Sequence, residues 1–203
     1  MSTNSSRPAD GDGNPSDGPQ AFTQQFQQPQ VGALVPERVS RGVLSTGVMV
    51  LQGPYEFVLD FILRMNRPYQ VVARVILPVG LMPALIAALR DNAGMFEKKF
   101  GPIPQMPVPP QPAQQPSIED IYSDLKVPDD VLSGTYANHV MIVHSPAEFC
   151  FEFITRFFPR AAVSTRVMMS APQIPGVLNT LTRSWEQFQR KTPGHPGQHQ
   201  PPI

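Results

Sequence analysis

The sequence predicts an α+β fold. Two β-β-β-α repeats form an intramolecular pseudo-dimer, an antiparallel sheet covered on one face by two helices, with a disordered N-terminal arm, linker and C-terminal tail. Three observations predict it. Within the copies 36–101 and 128–191, residues 36–99 align with 128–191 at a constant shift of 92, with 18 identities in 64 aligned positions; average composition would give roughly four. Both copies change from strand to helix periodicity at the same aligned point. The 25 prolines of the 203 residues gather mostly outside the copies, where they remove backbone donors and break regular elements.

Each copy reads in the same order. An apolar run, 46–52 or 138–144, is followed by a short turn, Gly53-Pro54 or Ser145-Pro146. Next comes an alternating strand with period two. It puts Phe57, Leu59, Phe61, Leu63 and Met65 on one face and Glu56, Asp60 and Arg64 on the other. In the second copy Phe149, Phe151, Phe153 and Phe157 face inward, opposite Glu148, Glu152 and Arg156. The turn is short enough for an antiparallel hairpin. A third strand follows over 71–77 or 163–169. The period then becomes helical, with Leu85, Ile86, Leu89 and Phe96 on one stripe and Val177, Leu178, Leu181 and Phe188 on the other. Ser170 is placed to cap the second helix, and Pro83 and Pro175 fit a first turn, where no helical donor is lost. Basic pairs, Lys98-Lys99 and Arg190-Lys191, end the helices at the negative end of the dipole. A 65-residue copy alone would have a marginal core, so the copies are expected to share one sheet of about six strands, with the helices packed together.

The remainder divides into an arm (1–35), a Pro/Gln-rich linker (102–127) and a tail (192–203). They lack apolar periodicity and are expected to be disordered. The proline run of the linker favours a polyproline II spacer, and 118–125 favour one short amphipathic helical turn. No basic start leads into an apolar segment, and the apolar uncharged stretch 75–89 is too short to span a bilayer and contains Pro78, Gly80 and Pro83. A cytoplasmic location and no membrane partner are expected.

Composition excludes several classes. One cysteine rules out a disulfide framework. The 16 basic and 16 acidic residues rule out a strongly basic nucleic-acid binder. The first copy holds 8 basic and 5 acidic residues and the second 6 and 5, so a mildly basic body is offset by acidic extensions. No phosphate-cradling glycine loop, metal-spaced cluster or nucleophile elbow occurs. Cys150 has no sequence partner to activate it. His195 and His199 lie in the tail. His144, at the hairpin turn, is the single speculative catalytic candidate. No catalytic residue, cofactor, metal or small-molecule substrate is assigned, and the chain is read as not an enzyme.

The polar residues shared by both copies form the candidate interaction surface: Glu56, Asp60, Arg64 and Arg74, matched by Glu148, Glu152, Arg156 and Arg166. Antiparallel pairing would set each arginine of the third strand opposite the acidic residues, either as a cross-strand salt-bridge ladder or as a recognition surface. Val58, Ile62, Val72 and Ile76 interleave with these charges, and such a half-apolar outer face points to a partner.

These residues resemble a known family. Gly134-Thr135-Tyr136-Ala137-Asn138, Val143-His144-Ser145-Pro146, Glu148-Phe149, Arg166-Val167 and Met169-Ser170 are similar to the bacterial domain of unknown function 3467. In the first copy Ala87-Ala88-Leu89-Arg90-Asp91-Asn92, Glu97 and Phe100-Gly101 resemble its helix and closing glycine. Members are usually single units, so this chain resembles a fused tandem pair, each copy degenerate in a different place. The resemblance implies a dimer-like fold and no established activity. The function expected is therefore a non-enzymatic binding or assembly module with a protein partner, self or other. The alternative is a weak single-stranded nucleic-acid binder of Whirly or Pur-alpha architecture.

Overall fold

The turns at Gly53-Pro54 and Ser145-Pro146 close the expected hairpins: Gly53 N–H donates to Glu56 O and Ser145 N–H to Glu148 O. The computed structural model describes residues 32–107, 117–157 and 159–191. In the first copy a one-turn helix α1 (Glu37–Ser40) leads to a two-residue strand β1 (Val43–Leu44). Strands β2 (Gly47–Gln52), β3 (Glu56–Leu63) and β4 (Tyr69–Pro78) form an antiparallel meander, and a 3-10 turn, Val79–Leu81, enters α2 (Met82–Phe100). Between the copies lie α3 (Ile118–Ser123) and β5 (Leu125–Lys126). The second copy repeats the order as α4 (Asp129–Leu132), β6 (Thr135–Tyr136), β7 (His139–His144), β8 (Glu148–Arg156), β9 (Ala161–Ser170), a 3-10 turn and α5 (Ile174–Lys191).

The α+β repeats form as predicted, and the difference lies in how they join. The strands make two sheets rather than one continuous sheet. The first is β2-β3-β4, with β5 and β6 parallel to β4 along its far edge; the second is β7-β8-β9, with β1 parallel to β9. The short leading strand of each copy therefore completes the sheet of the other copy. Val43↔Val167 and Thr135↔Val75 are the same pairing viewed from opposite copies, 92 residues apart. These two-residue strands occupy the edges along which β4 and β9 would otherwise meet.

The helices cross over in the same way. Trp185 and Phe188 of α5 lie 6.3 and 5.3 Å from Phe57 of β3, and Phe96 of α2 lies 5.4 Å from Phe149 of β8. Phe61 meets Phe153 at 5.5 Å between the sheets. A side-chain amide reaches across as well: Gln52 Nε2 donates to Ser184 O at 2.8 Å. At the equivalent position His144 Nδ1 lies 3.2 Å from Asn92 Oδ1. Both apolar sheet faces and both helices thus enclose one buried cluster, which is how two marginal units share a core.

Strict alternation fails near the ends of β3 and β8. The ladder shifts between Phe61 and Ile62, and again between Phe153 and Ile154. A bulge adds one residue and reverses the phase beyond it. The extra residues are Val72 of β4 and Ser164 of β9; Ile62 and Ile154 are buried outside the main core cluster, whereas Met65 and Phe157, expected in the core, are exposed. Ser170 makes no side-chain cap; it precedes the 3-10 turn Ala171–Gln173 that comes before α5. Pro83 and Pro175 sit in the first helical turns as expected.

The ordered body exceeds the boundaries read from sequence. Leu34, placed in the arm, pairs with Ala162 of β9: Leu34 N–H donates to Ala161 O and Val163 N–H to Leu34 O. It is the counterpart of Lys126 of β5, which pairs with Gln70 of β4. Ile103, placed in the linker, is 7% exposed and joins the core. The expected helical turn is α3, closed by a capping box in which Ser117 Oγ accepts from Asp120 N–H. Most of the arm, the proline run 108–116 and the tail, for which disorder is expected, lie outside the described residues.

Candidate interaction surface

Four of the eight shared polar residues are consumed by each other. Asp60 stands opposite Arg74 in the ladder, as Glu152 does opposite Arg166. Arg74 Nε and Nη2 donate to Asp60 Oδ1 and Oδ2 at 2.7 and 2.8 Å, a bidentate pair around a carboxylate that is 0% exposed. Hydrogen bonding to Asp60 raises Arg74 further above the ordinary arginine value, against the opposing effect of burial. Arg166 Nε donates to Glu152 Oε1 at 3.0 Å, and its Nη2 contacts the same oxygen.

Each arginine has a second task. Arg74 Nη1 donates to Leu132 O at 3.0 Å, and Arg166 Nη1 to Ser40 O at 2.6 Å. Those carbonyls end α4 and α1, so each guanidinium grips the leading turn of the other copy. Glycine makes this approach workable. Gly42 and Gly134 have φ of +66° and +70°, a region costly for other residues. A Cβ on Gly134 would stand 2.9 Å from Arg74 Cγ, and one on Gly42 3.1 Å from Arg166 Cγ. The arginine–carboxylate pairs are thus the clasps of the pseudo-dimer and are not offered to a partner.

The other four are dispersed. Glu148 Oε2 accepts from Ser145 Oγ at 2.7 Å within its turn, and the Glu56 side chain lies against Gly53. Arg64 and Arg156 are exposed, with their backbone N–H groups held by Thr46 Oγ1 and Asn138 Oδ1. Arg156 and burial together lower the pKa of His139, burial being the larger cause. His144 is packed among Phe96, Phe100 and Phe149 and bonded to Asn92, a position between the copies. Burial pushes the Cys150 thiol up from its ordinary value. Among the described residues no three His, Cys, Asp or Glu side chains come together as a metal site, and no helix is long and apolar enough to cross a membrane.

The two outer faces differ. On the first sheet Leu51, Val58, Ile76 and Tyr136 stand in one row across four strands; on the second the row is Val143, Cys150, Met168 and Leu44. On the first sheet α3 brings Tyr122 onto the neighbouring row, where its hydroxyl contacts Asp60 Oδ2 and accepts from Arg74 Nη2 at 3.3 Å. Met49 and Leu51 of β2 are half-buried there. On the second sheet their counterparts Met141 and Val143 are 45% and 48% exposed. Sequence reading missed Tyr122, Met141 and Val143. The identity of Met49 with Met141 was visible, but not that one face would be covered.

Two concavities lie among the described residues. A hollow of about 170 Å³ at the seam between the copies is lined by Arg38, Arg74, Asp130 and Arg166. A groove of about 560 Å³ runs between Arg64, Gln105–Pro107 and the start of α5.

No curated protein and no solved structure matches the chain. A family described as "Protein of unknown function (DUF3467)" matches it twice in tandem, over residues 9–105 and 109–192. The resembling motif Gly134-Thr135-Tyr136-Ala137-Asn138 is the interlock itself: the glycine passes Arg74, the next two residues form β6, Ala137 is buried, and Asn138 binds the backbone of Arg156. With both matches together covering most of its length, the chain belongs to the DUF3467 family, as a fused pair of its units.

Proposed function

We propose that the chain is a non-enzymatic binding and assembly module whose working surface is the outer face of the second sheet, centred on β7. One observation carries the reading. On equivalent strands of the two sheets, Met49 and Leu51 of β2 are half-buried while Met141 and Val143 of β7 stand exposed. An exposed apolar patch beside polar neighbours suits a protein partner. The paired state of Arg74 and Arg166 weakens the nucleic-acid alternative, because neither guanidinium is available for phosphate.

The test places a photo-crosslinking residue at position 143 or at its counterpart 51 in the full chain, in its own cells. The reading predicts protein adducts at 143 that are absent at 51 and are reduced by Met168→Glu. Equal labelling at both positions, or none at 143, contradicts it. Salt-titrated binding to single-stranded DNA and RNA is expected to be negative at low salt; binding that weakens steeply with salt would favour the alternative.

A further inference from the structure

We propose that β7 is a self-pairing edge, through which two copies of this chain join antiparallel with Ile142 facing Ile142 across a twofold axis. The proposal rests on the reading above and names its partner as a second copy.

The first ground is unmet backbone capacity. Among the described residues β7 pairs with β8 alone. Ser145 N–H donates to Glu148 O at 2.8 Å, which fixes the alternation of the ladder. Val143, Met141 and His139 exchange bonds with β8, so Val140, Ile142 and His144 direct their N–H and C=O groups outward. Centring a second β7 on Ile142 uses all three: Ile142 pairs with its own image and Val140 with His144 of the second copy. Six backbone hydrogen bonds result.

The second ground is side-chain matching. In this register Met141 of each copy faces Val143 of the other on the outer face, so the two exposed apolar residues of the strand cover each other. Antiparallel joining also sets the Arg156 end of β8 toward the Glu148 end in the second copy, whereas parallel joining would align like charges.

The third ground is the missing protection. Open edges are ordinarily guarded by lysine, proline, a bulge or a covering segment. β7 contains no Lys, Arg, Asp, Glu, Pro or Gly. Its counterpart β2 begins at Gly47, against which the Arg64 guanidinium lies, and Tyr122 stands over the neighbouring Asp60.

The experiment uses the full chain. Light scattering after gel filtration is expected to give twice the 22.4 kDa chain mass at micromolar concentration. Met141→Lys and Val143→Glu are each expected to halve it, and the double variant M141K/V143E to restore it, because each new lysine faces a new glutamate of the other copy. Far-UV circular dichroism confirms that each variant is folded. In a Cys150→Ser background, a mixture of Met141→Cys and Val143→Cys chains should form disulfide-linked dimers under mild oxidation, and neither chain alone should. Facing residues of a non-hydrogen-bonded pair are about 4.5 Å apart at Cα, within disulfide reach. A wild-type chain of 22.4 kDa at all concentrations, or a dimer indifferent to these changes, overturns the proposal. A monomer that still gives protein adducts at position 143 overturns self-pairing while leaving the binding-face reading standing.

Discussion

Removing the guanidinium of Arg74 leaves the Asp60 carboxylate in a fully buried position with only the Tyr122 hydroxyl beside it. Breaking a buried ion pair at one partner costs about 3–5 kcal/mol, mainly through the stranded charge. Arg74→Ala also releases Leu132 O, loosening α4. The expected loss is therefore about 4 kcal/mol, a large part of the roughly 5–15 kcal/mol of a typical domain. Arg166→Ala strands Glu152, which is 8% exposed and so partly reached by water. A cost nearer the 1.5–3 kcal/mol of a charged hydrogen bond is expected there. Adding Asp60→Asn to Arg74→Ala should recover more than half of the first loss, since the unpaired charge disappears. Urea unfolding followed by Trp185 fluorescence and circular dichroism measures all three. A loss below about 1 kcal/mol for Arg74→Ala, the scale of a surface ion pair, would refute the clasp.

Three further outcomes follow from the same geometry. Gly134→Ala should destabilise by about 1–2 kcal/mol from its left-handed φ alone, more with the contact to Arg74, and by more than Gly42→Ala in parallel denaturation curves. Ile103→Ala should cost about 2–4 kcal/mol, the range of a core truncation, although the residue lies in a stretch that reads as linker. Tyr122 is pushed up to about 12, chiefly by burial and then by Asp60, whereas an unfolded tyrosine ionises near 10. Between about pH 10 and about 12 the native state therefore holds a proton that the unfolded chain has lost. The contribution of Tyr122 is complete below about pH 10 and disappears as pH rises toward about 12. The gap in urea midpoint between wild type and Tyr122→Phe should accordingly shrink over that interval; a constant gap would speak against the coupling.

The repeats, their hairpins and the opposition of Asp60 to Arg74 and Glu152 to Arg166 were legible because period-two patterning and the shift of 92 are properties of sequence. The bulges were not. Ile62 and Ile154 are apolar whichever face they occupy, and nothing in composition marks where a ladder slips. The crossing of β1 and β6 was also hidden, since two-residue strands carry no periodicity. Gly42 and Gly134 were visible as aligned glycines, but their purpose required knowing which arginine passes them. The exposure of Met141 and Val143 against half-buried Met49 and Leu51 could not be read, because nothing in the pattern of either strand shows that Tyr122, on a short helix in a proline-rich stretch, reaches the first sheet.

The central claim is that each copy completes the other, so the described body opens as one unit. Native-state hydrogen exchange on the full chain tests this most directly. Arg166→Ala perturbs only the second sheet and α1 by contact, yet the account predicts an equal loss of protection free energy in the central amides of β3 and β8. Loss confined to β8 and β9, with β3 and β4 unchanged, would contradict it.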